Sequence, residues 1–201
     1  DAGSGVSGEN NSGNTGIGKD ALKLIEDGGN NTAVGAYAGD ALAGGGLNVL
    51  IGDGAGSTTT AGLRMVAVGN ESLNGLATTA AVGTVAVGYK SLNALTSGIA
   101  NVAIGSGSMA VNATSDYNTA VGTAALSKVT NNGDTSATAI GWHSCMSLTT
   151  GTYNTGVGAQ ALNSLLSGGY NTTLGFSSGY GLTTGQQNVI LGADVGRGST
   201  T

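Results

Sequence analysis

The chain has 201 residues and a net charge of −5, with six basic residues, 8% charged residues, 4% aromatics, 39 glycines and no proline. So few cations leave no electrostatic footprint for nucleic acid, and no apolar run of about 18 residues offers a membrane-inserting span. A proline-free chain whose glycines do not recur every third residue is neither collagen-like nor a Pro-rich linker, and although this composition resembles a disordered tract, the order of its residues overrules that reading.

One pentapeptide, apolar or Thr-bearing and ending in Gly, recurs along the chain: NTGIG, NTAVG, NVLIG, MVAVG, TVAVG, NVAIG, NTAVG, ATAIG, NTGVG, NTTLG and NVILG. The closing glycines are Gly18, Gly35, Gly52, Gly69, Gly88, Gly105, Gly122, Gly141, Gly158, Gly175 and Gly192, with eight steps of 17 residues and two of 19. Self-similarity at one period marks a repeat architecture. Residues 1–201 are therefore read as one domain, an array of eleven repeats, because nothing interrupts the repeat.

Behind each glycine the columns continue. Three residues on stands a small residue, such as Ala21, Ala38 or Ser72, and next to it Leu22, Leu73, Leu92, Met109, Leu126, Cys145 or Leu162, replaced by Gly39, Gly56, Gly179 and Gly196. Seven after the glycine an aliphatic column runs through Ile25, Leu42, Leu76, Leu95, Val129, Leu148, Leu165 and Leu182, interrupted by Thr59, Asn112 and Ser199, before a turn glycine such as Gly28 or Gly45.

Seventeen residues are too few for two packed helices and suit one coil of an all-β, parallel β-solenoid. The pentapeptide is the predicted strand. Its second and fourth residues (Thr or Val, then Val, Ile or Leu) share one face, since strand side chains alternate. The third, usually Ala or Gly, faces the other way, and so small a column predicts the close approach of another backbone or subunit. The leading Asn column predicts a ladder of side-chain amides, and the closing glycine a corner that a Cβ would obstruct. For the segment after the glycine, the spacing is compatible with a single helical or 3₁₀ turn and with a second, bent strand. Both two-residue insertions, around Ala77 to Gly83 and around Thr130 to Ser136, precede a strand and predict one decorated face. Coils this thin have little core, which favours lateral association with other chains.

Catalytic, cofactor and metal sites are not expected. Gly13 to Asp20 (GNTGIGKD) imitates a phosphate-binding loop, but Asp20 stands where the motif requires Ser or Thr, and the repeat explains every glycine except Gly13. In Trp142-His143-Ser144-Cys145, one His and one Cys cannot complete a zinc site, and Cys145 occupies an apolar column. Asp53 and Glu71 could meet on neighbouring coils, yet solvated surface charge is the simpler reading. The sequons at Asn10, Asn30, Asn70, Asn112 and Asn171 are expected by chance in a chain rich in Asn, Ser and Thr. A chain beginning at Asp1, without Met, is read as a piece of something longer.

The aromatics form a pattern. Tyr117, Tyr153 and Tyr170 immediately precede the strand Asn column, and Tyr89, Trp142 and Phe176 immediately follow the strand Gly. Exposed rings in rows can stack on sugar or peptide; alternatively they pack across a subunit interface or cover a coil edge.

Units of the form NTAVG, a small residue, Leu, then LTTG (Leu148 to Gly151 and Leu182 to Gly185) resemble the repeats of tail fibre domain proteins of bacteriophages and bacterial surface fibres. More distantly, NVAIG at Asn101 to Gly105 is similar to the NSVAIG strand of trimeric autotransporter adhesin heads. The resemblance runs from Asn14 to Gly196; the period differs from that of the adhesin heads, so coil geometry does not carry over. It implies a homotrimeric, extracellular, elongated fibre on a virion tail or bacterial cell surface, contacting a glycan or protein receptor. Competing readings are a self-assembling extracellular filament and an ice-binding solenoid, the latter disfavoured because Thr shares its face with Val, Ile or Leu.

Overall fold

The computed structural model describes residues 12–75, 82–130 and 135–197. Both insertion segments fall largely outside the described residues, so the expected decorated face does too. The fold is an all-β parallel solenoid with one three-residue strand per coil: β1 (Thr15–Ile17), β2 (Thr32–Val34), β3 (Val49–Ile51), β4 (Val66–Val68), β5 (Val85–Val87), β6 (Val102–Ile104), β7 (Thr119–Val121), β8 (Thr138–Ile140), β9 (Thr155–Val157), β10 (Thr172–Leu174) and β11 (Val189–Leu191). All eleven form one sheet in chain order, each pairing in parallel with the next. The register is that of the repeat: Thr15 opposes Thr32 and Val85 opposes Val102. At about 4.8 Å per strand the sheet runs for roughly 50 Å.

Each glycine that closes a strand turns the corner. Gly122 has φ +135°, and a Cβ there would stand 2.5 Å from the carbonyl oxygen of Gly141 one coil on. The segment that follows is neither a helix nor a second strand. It is a pair of β-turns, Ala21 N–H donating to the Gly18 carbonyl (3.4 Å) and Ile25 N–H to that of Leu22 (3.3 Å). Left-handed residues shape these corners: Asp20 (φ 55°) and Leu22 (φ 51°) in the first coil, and Tyr153 (φ 57°) before the strand of a later one. Such conformations cost about 1 kcal/mol each for side chains with a Cβ. Coil-to-coil hydrogen bonds offset that cost: Leu22 N–H donates to the Ala38 carbonyl (3.0 Å), and Tyr153 N–H to that of Thr135 (2.8 Å). Glycine replaces Leu in this column without hindrance because the position is left-handed, as at Gly39 (φ 60°).

From β2 to β10 the middle strand residues, Ala33, Leu50, Ala67, Ala86 and Ala103 among them, are buried and point into the chain's own core. The expectation that this small column meets another subunit is thereby corrected. What crowds it is the Leu column beyond the glycine, and the two exchange volume. Where the strand contributes Leu50, the facing turn residues are Gly39 and Gly56; a Cβ at those glycines would reach Leu50 side-chain carbons at 2.7 and 3.0 Å. Elsewhere Ala pairs with Leu or Met, and Gly156 makes room for the Cys145 sulfur, 2.8 Å from where its Cβ would be. The interior is close-packed, so one oversized side chain demands a glycine opposite.

The asparagine ladder forms. Asn31 Oδ1 accepts from the backbone N–H (3.1 Å) and Nδ2 (2.9 Å) of Asn48, whose Nδ2 also donates across the coil to the Gly62 carbonyl (2.8 Å). Asn154, Asn171 and Asn188 repeat the arrangement. Met65, Thr84 and Ala137 interrupt it, the first two flanking one 19-residue unit and the third ending the other.

Candidate functional site

With the middle residue of each strand turned inward, the first and last turn outward, and they make a face of twenty-two positions, two per strand over eleven strands. The first residue is Thr six times and Val five times, and the last is always Val, Ile or Leu. None of the twenty-two is charged. Large aliphatic side chains are left in water here: Ile51, Ile104 and Ile140 are each 39% exposed, and Leu174 50%. The face is therefore uncharged along its whole length, aliphatic in one column and mixed Thr and Val in the other.

Both aromatic columns border this face. Tyr117, Tyr153 and Tyr170 stand on the edge before the strands and Tyr89, Trp142 and Phe176 on the edge after them, all close to half exposed. Tyr153 and Tyr170, on adjacent coils, stack with centroids 5.1 Å apart, and Trp142 stacks on His143 at 4.0 Å.

No family model, curated protein or solved structure matches this chain. Its geometry alone carries the functional argument.

The sequences that imitate chemistry are absorbed by the solenoid. Within Gly13 to Asp20 the Thr15 N–H donates to the Asn31 carbonyl (2.8 Å), so this stretch is a strand of the ladder and not a cradle of free amides. Lys19 instead donates to the Tyr37 hydroxyl (2.5 Å). Ser144 donates to the Gly156 carbonyl at 2.8 Å, and burial pushes the Cys145 thiol up to about 12, which leaves it protonated and inert. Asp53 and Glu71 do not form an acid pair: Asp53 accepts from Asn70 (3.3 Å), while Glu71 pairs with Lys90 (3.3 Å). Among the described residues no group of three His, Cys, Asp or Glu lies close enough to hold a metal ion. Of the sequons, Asn112 and Asn171 are buried.

Reading by residue type found the bordering rings but passed over the face between them. The signal was present as two adjacent columns, at every other position, that never carry a charge in eleven repeats. Only the direction of the middle residue decides that these columns face water.

Proposed function

We propose that this chain is a non-enzymatic structural and adhesive segment of an extracellular fibre, on a phage tail or a bacterial surface, in which three copies associate along their length. The observation that carries this reading is the unbroken ladder from β1 to β11. Repeated coils in register make a stiff rod that presents one surface over its whole length, for contact with a glycan or protein receptor. Light scattering coupled to size exclusion tests it: a mass near three times 19.2 kDa is expected. A single-chain mass would overturn the fibre reading, and very large species would replace the trimer with an end-to-end filament.

The outward threonines of β1, β2 and β7 to β10 favour one second reading, an ice-binding solenoid. Valine occupies that position in β3 to β6 and interrupts the hydroxyl row. Thermal hysteresis of a single-chain form would support this reading, and ordinary freezing would eliminate it.

A further inference from the structure

We propose that the uncharged outer sheet face is the surface along which copies of this chain mate, parallel and in phase, around a common axis. The inference rests on the fibre reading above and specifies its interface.

Area comes first. Counting the two bordering columns, the face is about 50 Å long and about 20 Å wide, from strand spacing and rise per residue. That is on the order of 1,000 Å² per copy, more than the roughly 800 Å² per partner of a stable interface. Its centre has no charge to desolvate, Lys19, Asp53 and Arg64 lying in the bordering columns, so burial of the centre removes aliphatic surface from water without an electrostatic penalty.

The direction of mating follows from the order of residues along the face. Its first column reads Thr in β1 and β2, Val in β3 to β6, Thr in β7 to β10 and Val in β11. Copies running parallel and in phase set the four-valine band against itself and hydroxyl against hydroxyl. Antiparallel copies would set β3 against β9, Val49 against Thr155, and mismatch most of that band.

The edges add an independent argument. When such faces surround an axis, the edge before the strands of one copy closes against the edge after the strands of the next, a heterologous contact that closes into a ring. In three coils the residues at equal height on those two edges complement each other in size: Gly83 with Tyr89, Ser136 with Trp142, and Tyr153 with Ala159, whereas β3 and β4 bring Leu47 to Asp53 and Arg64 to Asn70. Each of the three pairs gives one ring and one small residue, which a shared corner can accommodate. The β10 coil, with Tyr170 and Phe176, carries rings on both edges.

The test places charge on the face. Val85→Lys and Val102→Lys are compared with Ser97→Lys, an exposed position away from the strands, with circular dichroism to verify the fold. Wild type and Ser97→Lys are expected near three times the chain mass, and the two face variants at the single-chain mass. For direction, Val49→Cys under mild oxidation is expected to cross-link to itself; Cys145 is sealed in the core and does not compete. An assembled wild type whose face variants keep full mass would overturn this inference and leave the fibre reading standing. Cross-linking of Val49→Cys only when mixed with Thr155→Cys would overturn the parallel arrangement. A single-chain wild type would overturn the fibre reading and this inference with it.

Discussion

The side-chain oxygen of Asn154 accepts two hydrogen bonds from Asn171, one from its backbone N–H at 3.1 Å and one from its Nδ2 at 2.9 Å. The Asn171 amide also donates to the Gly185 carbonyl at 2.7 Å, and its oxygen serves Asn188 in turn. Both Asn154 and Asn171 are fully buried. Each step of the ladder thus ties two coils together and closes one coil on itself.

Asn171→Ala removes these bonds and leaves buried groups without partners, at about 1–3 kcal/mol for each one unmatched. A loss of roughly 2–4 kcal/mol is expected on that scale, read from urea unfolding. Asn70→Ala, whose amide donates to Asp53 at the surface, is expected to change stability by less than about 0.5 kcal/mol. Equal effects would refute the structural role of the ladder.

Two glycine substitutions separate backbone strain from steric overlap. At Gly122, Ala meets both a φ of +135° and a carbonyl oxygen 2.5 Å away. A loss above about 4 kcal/mol, or failure to fold, is expected. Gly107 also has positive φ, +64°, but nothing lies within 4 Å of its Cβ, and the equivalent Tyr37 and Lys90 tolerate this conformation. Gly107→Ala should cost about 1 kcal/mol. The two midpoints in thermal unfolding make the comparison.

The volume exchange around Leu50 is testable by substitution and rescue. Leu50→Ala leaves a cavity beside Gly39 and Gly56 and is expected to cost about 2–5 kcal/mol. Gly39→Leu with Gly56→Leu should destabilise the parent by overpacking, yet restore most of the loss in the Leu50→Ala background. Additive losses across the cycle would show that the pairing of Leu50 with two glycines is coincidental.

Asp40 provides a pH dependence. One of its carboxylate oxygens is buried without a partner, and burial raises its pKa above the ordinary carboxylate value. The folded state therefore holds a proton more tightly than the unfolded one. Stability should rise as pH falls through the folded pKa and level off below the unfolded value of about 3.9. Asp40→Asn should raise the melting temperature at pH 7, with the gain disappearing at low pH. A variant equal to the parent at both pH values would exclude a charged-state penalty at this carboxylate.

Much of the architecture is legible without coordinates because the repeat is strict. The glycine column marks the corners, the Asn column the ladder, and Ile25, Leu42 and Leu148 the buried turn side, where each is fully or almost fully sealed. The turn segment was not legible. Apolar residues three apart fit a helical turn and a bent strand, whereas Leu22 and its equivalents adopt positive φ, a conformation that residue type alone argues against.

The period, the strand positions and the places where the ladder breaks can be read from residue order, since each depends on a residue required locally at a fixed interval. Tertiary structure alone decided which side of the strand faces inward. Alternation defines two faces without ranking them, and an Ala column can mean crowding from outside or from within. Here the crowding comes from Leu22, Leu92 and Leu126 folding back beneath the sheet, all buried. That inward crowding turns the Thr, Val and Ile columns toward water.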